Sequence, residues 1–279
     1  NISFTKMKKE MRNVETSSKS LKTEIVLFLA LTFALTFILN FFMLVNFDLF
    51  TESQELLLVA LRFEMLIPAF SAISLNLFVF KTKNYPRKSR ILFYYFLVLT
   101  ALTALLFALR VGIRIDLGSM QLDSMENLGL TVLMGVLVFG TNLLALGWIA
   151  LIFLWNLKAD SKKELRGSKL SFGKPSYYLL FSLFFFGYFL VSTILNCIFG
   201  LGSPPSEQVE LGSLLIGLAT VFVGPIFTFP SLFGEEYAWR IFLQDRFTQL
   251  FGGVKGVLLV GLVWGLWHAP MIAVFGWTY

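Results

Sequence analysis

The chain has 279 residues and a net charge of +6, with 57% hydrophobic and only 14% charged residues, and its mean hydropathy is +0.76. Soluble domains are about 45–50% apolar and about 25% charged, so this composition excludes an ordinary soluble enzyme. It also excludes intrinsic disorder, which requires low hydrophobicity together with high net charge. We therefore expect a polytopic membrane protein.

Long apolar runs recur along the whole chain. A helix needs roughly 20 apolar residues to cross the hydrocarbon core, and these runs are continuous rather than alternating, which favours helices over membrane strands. The predicted fold class is an all-α transmembrane bundle of about seven spans. We expect a tail at 1–24, five transmembrane helices within 25–199 and a C-terminal helical part at 211–279. The spans are predicted at 25–45, 56–80, 91–109, 128–157, 176–199, 211–233 and 254–275.

Most of the 23 Lys and Arg residues fall in three places: the tail at 1–24 and the connections at 81–90 and 158–174. The other connections are mainly acidic. Basic connections stay on the cytoplasmic side of a membrane, so we predict a cytoplasmic N terminus. The excess positive charge then reflects topology, and the expected partners are membrane lipids rather than nucleic acid.

Three residues inside the apolar runs are expected to have structural roles. Cys197 is the only cysteine, so no internal disulfide can form, and its apolar surroundings predict an inert buried thiol. Arg62 and Glu64 fall within the second span near its exterior end, where Arg62 can extend its charge to the interface.

Adjacent carboxylates at Glu235 and Glu236 form the strongest candidate site, because ionisable residues at membrane depth are costly. On a helix, Glu236 and Arg240 are i,i+4 neighbours and can pair, which leaves Glu235 free to handle protons. The alternative is a salt-bridged helix end at the membrane interface.

The single histidine, His268, is the second candidate. Gly252-Gly253 predicts a turn between the glutamate-bearing helix and the next span. At the helical rise, Glu235 and His268 lie about 25 Å and about 22 Å from that turn, so a hairpin would bring them to similar depth. A carboxylate facing an imidazole can activate water directly or through a metal. A lone histidine can also be a hydrogen-bonded structural residue.

A continuous helix from 211 to 250 would be about 60 Å long, roughly twice the hydrocarbon thickness. Pro225 and Pro230 are therefore predicted to break or kink it, and a polar cavity near the glutamates would suit hydrolysis.

The Glu-Glu-x-x-x-Arg motif at 235–240, followed by the Trp-x-x-x-His-x-Pro motif at 264–270, closely resembles the CPBP family of CAAX proteases and bacteriocin-processing intramembrane proteases. The resemblance implies peptide-bond hydrolysis near the cytoplasmic membrane face. It implies that Glu235 activates water with His268, and that Glu236, Arg240 and Trp264 support them. The resemblance leaves two mechanisms open. In one, His268 and Glu235 bind a Zn²⁺ ion, and in the other, Glu235 activates water without a metal.

The family pattern continues with a further histidine-bearing helix, which this chain lacks, and we expect the protein to continue beyond Tyr279. The function expected is that of a CPBP-type endopeptidase of the metalloprotease class, in a bacterial plasma membrane, acting on a membrane-associated protein or peptide. One alternative is a non-catalytic scaffold or bacteriocin-immunity protein with the same fold. Another is a transporter that uses Glu235 and His268 as a proton relay.

Overall fold

The computed structural model describes the backbone of residues 2–80, 85–117, 125–201 and 211–275 and most of their side chains. These residues are helical almost throughout and contain no strand, which confirms the predicted all-α class. In chain order the helices are α1 (Ile2–Val45), α2 (Phe47–Thr51), α3 (Gln54–Ser74) with a π-helical extension (Leu75–Phe80), α4 (Arg87–Leu117), α5 (Met125–Leu157), α6 (Ala159–Arg166), α7 (Pro175–Ile198), α8 (Leu211–Glu236) with a π-helical segment (Tyr237–Leu243), α9 (Gln244–Phe251) and α10 (Gly253–Phe275).

Six stretches of the described residues are long and apolar enough to cross a membrane, so the polytopic architecture is confirmed. The seventh predicted span, 211–233, is helical as part of α8, but most of its side chains lie outside the described residues. The six stretches are Lys19–Val45, Gln54–Phe80, Arg87–Gly112, Val132–Leu157, Pro175–Ile198 and Gly253–Ala273.

Side chains from the predicted cytoplasmic segments meet one another and α9 at one end of the bundle. Charge counting placed these segments on one side of the membrane, and the ion pairs agree with that arrangement. Hydrogen bonds from Lys88 also lower the pKa of the Glu164 carboxyl. Whether this end faces the cytoplasm stays a prediction. The ion pairs are Lys88–Glu164, Lys169–Asp245 and Arg246–Glu24.

Helix α8 does not end at either of its prolines, so of the break or kink predicted at Pro225 and Pro230 the break is wrong. A proline removes one backbone donor, but packing against a neighbouring helix can sustain the rest of the helix. The irregularity comes later, as the π-helical segment that follows Glu236. Its backbone bonds span five residues, as the one from Gln244 N to Trp239 O does.

Helices α3 and α8 pack with their backbones in contact at Gly234. A Cβ atom placed on Gly234 would lie 2.1 Å from the carbonyl oxygen of Met65 and 2.9 Å from the Cα of Leu66. Both neighbours are backbone atoms, so a rotamer change cannot make room. Gly234 therefore sets the distance between the two helices immediately before the candidate site residue Glu235.

We expect Gly234→Ala to lower the free energy of unfolding by about 3 kcal/mol or more, at the upper end of overpacking costs, because α3 and α8 must separate. The measurement is the denaturation midpoint of the purified protein in detergent. Gly265→Ala is the matched control, since no atom lies within 4 Å of its Cβ position and alanine favours a helix. Equal midpoints for the two variants would contradict the close packing.

Helix α7 buries none of its side chains against the rest of the described chain. Cys197 lies near its end and is only partly buried, so the predicted buried thiol is wrong. The apolar run around Cys197 indicates a hydrophobic environment, but in a membrane that environment can be lipid as well as protein.

Candidate active site

The two motif-bearing helices form an antiparallel hairpin. Helix α9 ends at Phe251, and Gly252 adopts a φ of +85°, a left-handed conformation that glycine accepts without a Cβ clash. Helix α10 starts at Gly253, one residue before the predicted span at 254–275. Glu235 and His268 therefore come to the same level of the hairpin from opposite sides of the turn.

Glu235 is the buried carboxylate of the site, with 8% of its surface exposed. Its Oε2 accepts a hydrogen bond from the indole Nε1 of Trp264 at 3.0 Å. The same oxygen lies 4.0 Å from Nε2 of His268. That separation exceeds a direct hydrogen bond and matches one that a single water molecule can bridge.

The orientation of the His268 ring follows from its other nitrogen. Nδ1 lies 2.9 Å from the backbone carbonyl oxygen of Trp264. A carbonyl oxygen only accepts hydrogen bonds, so Nδ1 carries a hydrogen and donates a hydrogen bond to this oxygen. In the neutral ring, Nε2 then presents its lone pair toward Glu235. Trp264 thus orients both groups, Glu235 through its side chain and His268 through its backbone.

Glu236 and Arg240 form the predicted i,i+4 ion pair, and both side chains are about half exposed. Glu236 therefore points away from the buried Glu235 and has a partner of its own. The Arg240 guanidinium also lies over the Trp264 ring, 5.5 Å from its centroid, within cation–π range. The supporting residues are thus in contact with one another. Arg240 packs on the face of the Trp264 ring, and the Nε1 of that ring donates to Glu235.

A catalytic zinc ion normally takes three protein ligands. Among the residues that the structure describes, no group of three His, Cys, Asp or Glu side chains could hold a metal. Glu235 and His268 supply two donors and do not by themselves fit the ion. Zinc therefore stays a prediction.

A second carboxylate, Glu64, lies near the site. The sequence predicts only a structural residue near the exterior end of the second span. Its side chain is buried and accepts a hydrogen bond from Asn40 Nδ2 at 3.0 Å. It is close enough to Glu235 for the two carboxylates to interact electrostatically. Trp267, next to His268, donates to Thr36 on the same side of the bundle at 2.8 Å. Polar residues inside α1 were the signal that could have revealed this contact.

Residues 210–279 match the family model described as type II CAAX prenyl endopeptidase Rce1-like.

The Rce1-like segment contains both motifs and the whole hairpin, so the match confirms the CPBP resemblance that the motifs indicated. The description of the matched model names a CAAX prenyl endopeptidase, and the six apolar helices agree with an integral membrane protein. No curated protein and no solved structure matches the chain.

Proposed function

We propose that the chain is a CPBP-type intramembrane endopeptidase in which Glu235 and His268 act on one water molecule. The observation that carries this proposal is the 4.0 Å separation of Glu235 Oε2 and His268 Nε2, with both groups oriented by Trp264. The carboxylate oxygen of Glu235 and the ring nitrogen of His268 face each other across a gap that we propose one water molecule bridges. The Rce1-like match supplies the reaction class for this arrangement.

In the proposed reaction the Glu235 carboxylate takes a proton from the water, and the resulting hydroxide attacks the carbonyl carbon of the peptide bond. The C–N bond then breaks, and the proton held by Glu235 passes to the leaving amine. His268 Nε2 accepts a hydrogen bond from the same water and so aims its oxygen at the carbonyl. The products are a carboxylic acid and an amine, which exchange the remaining proton to give a carboxylate and an ammonium group, and Glu235 returns to its ionised form.

The proposed substrate is a membrane-associated protein or peptide, cut near the cytoplasmic face of a bacterial plasma membrane. Six helices are long and apolar enough to cross a membrane, and they support this substrate class. A soluble peptide would have to enter between these apolar spans. The end of the bundle with the basic connections is proposed as the cytoplasmic one.

The test is cleavage of a membrane-tethered peptide library by the purified full-length protein. Trp264→Phe keeps an aromatic ring for Arg240 and a backbone carbonyl for His268 but loses the donor to Glu235. We expect turnover to fall by about 10- to 100-fold, because a hydrogen bond to a charged group contributes about 1.5–3 kcal/mol. Unchanged turnover would contradict the orienting role of the indole.

A chelator titration in the same assay distinguishes the two mechanisms. Turnover that persists at high chelator concentration supports activation of water by Glu235 and His268 alone. Loss of turnover that added Zn²⁺ restores would support a metal with ligands beyond these two. A well-folded full-length protein that cleaves no peptide in the library would favour the scaffold or immunity function.

A further inference from the structure

A cavity of about 270 Å³ lies among helices α3, α4, α5 and α8, at the end of the bundle opposite the basic connections. It ends at Leu66 and Ser231, one helical turn from Glu235. Arg62 from α3 and Arg110 from α4 both line it. Two guanidinium groups from different helices thus line one partly open cavity.

The positive charge of this cavity is only partly compensated. Nη1 of Arg110 lies 2.5 Å from Oε1 of Glu55, so this arginine has its counter-ion. Within the part of the chain that the structure describes, the guanidinium of Arg62 has neither a hydrogen bond nor an ion pair. The lining therefore carries one positive charge, that of Arg62, without a negative partner among the described residues.

The other polar groups of the lining do not supply that partner. Thr103 donates to the carbonyl of Leu99 at 2.9 Å, and Asn142 donates to that of Val138 at 2.8 Å, each within its own helix. These side chains are neutral, so they cannot balance the charge of Arg62. The free donors of Arg62 therefore face a cavity that contains no unpaired carboxylate of the described chain.

We propose that this cavity binds a phosphate group through the guanidinium of Arg62, with Arg110 as the second cation. The planar guanidinium can give two parallel hydrogen bonds to phosphate oxygens, which a point charge cannot do. The phosphate of a phospholipid head group offers the same oxygens as the free ion. The phosphate comes from the head group of an anionic phospholipid or from the free ion, and titration with each probe distinguishes these two sources.

The position of Arg62 agrees with a head group. It lies eight residues into α3, which places its Cα about 12 Å from the start of the helix at Gln54. The long side chain can extend from there toward the head-group region. The cavity volume of about 270 Å³ is just below that of pockets for drug-sized molecules, about 300–1,000 Å³, and suits a head group without its acyl chains.

The experiment is isothermal titration calorimetry on the full-length protein in a zwitterionic detergent, with inorganic phosphate and short-chain phosphatidylglycerol as separate probes. We expect saturable binding that weakens as salt is raised, and a loss of affinity of at least tenfold in Arg62→Gln. Arg87→Gln is the matched control, because Arg87 is exposed at the opposite end of the bundle, and it should bind as the wild type does.

The two probes identify the source of the phosphate. Arg62-dependent binding of the lipid alone supports a head-group site, binding of the ion alone supports a free-phosphate site, and binding of both supports a general phosphate site. The proposal is overturned if the wild type binds neither probe, or if Arg62→Gln binds as tightly as Arg87→Gln. If Arg62→Gln does not fold, Arg62→Lys replaces it, with an expected intermediate affinity because the charge remains and the paired geometry is lost.

Discussion

Replacing Glu235 by glutamine is expected to lower peptide cleavage by about 10²- to 10⁴-fold, the usual contribution of a general base. Glutamine has nearly the same shape and keeps an oxygen that can accept the hydrogen bond from Trp264 Nε1. It cannot take a proton from water. The variant therefore removes the chemistry while preserving the contacts, and the measurement is the turnover rate of the purified full-length protein.

Glu236→Gln is the matched control for this prediction. Glu236 is adjacent in sequence, but its side chain is half exposed and pairs with Arg240. We expect its turnover to stay within about fivefold of the wild type, since an exposed ion pair contributes at most about 1 kcal/mol. Thermal unfolding of both variants checks that they fold. Glu235→Gln turnover close to that of Glu236→Gln would remove Glu235 as the base.

The second large effect is expected at the buried ion pair that joins α9 to α1. The Arg246 side chain is 7% exposed and the Glu24 side chain 12%. Nε and Nη2 of Arg246 donate to one oxygen of Glu24 at 2.8 and 2.5 Å, and Nη1 donates to the Phe242 carbonyl at 2.9 Å. Arg246→Met leaves the Glu24 charge without a partner, so we expect a loss of about 3–5 kcal/mol in the free energy of unfolding.

Two further variants test the cause of that loss, each measured by denaturation in detergent. The double variant Arg246→Met with Glu24→Gln should recover most of the stability, because no unpaired charge remains. Lys169→Met removes the cation of a more exposed pair with Asp245 and should cost less than about 1 kcal/mol. An Arg246→Met cost no larger than that of Lys169→Met would contradict the proposed effect of burial.

Contacts within one helix, or across one tight turn, could be predicted from the sequence. Glu236 and Arg240 pair because residues four apart lie on one face of a helix. Glu235 and His268 meet because the helical rise is constant and a glycine allows the chain to reverse at Gly252. Both results need only local geometry, and the resemblance to CPBP proteases rests on these same residues.

Contacts between helices that are distant in sequence were not predictable in the same way. The burial of Glu64 depends on Asn40, which lies on another helix. Helix α8 continues through Pro225 and Pro230 and packs against α3, whereas local propensity predicted a break or a kink there. The same limit applies to the pair of Arg246 with Glu24, which joins the two ends of the chain.

By itself, then, the sequence determined the membrane class, the positions of the helices and the level at which Glu235 faces His268. These properties follow from composition and from the fixed geometry of a helix. Only the tertiary structure decided that Trp264 orients both of these groups and that Arg62 faces a cavity without a counter-ion. Such properties depend on how closely helices approach, and at Gly234 that distance is set by the absence of a single methyl group.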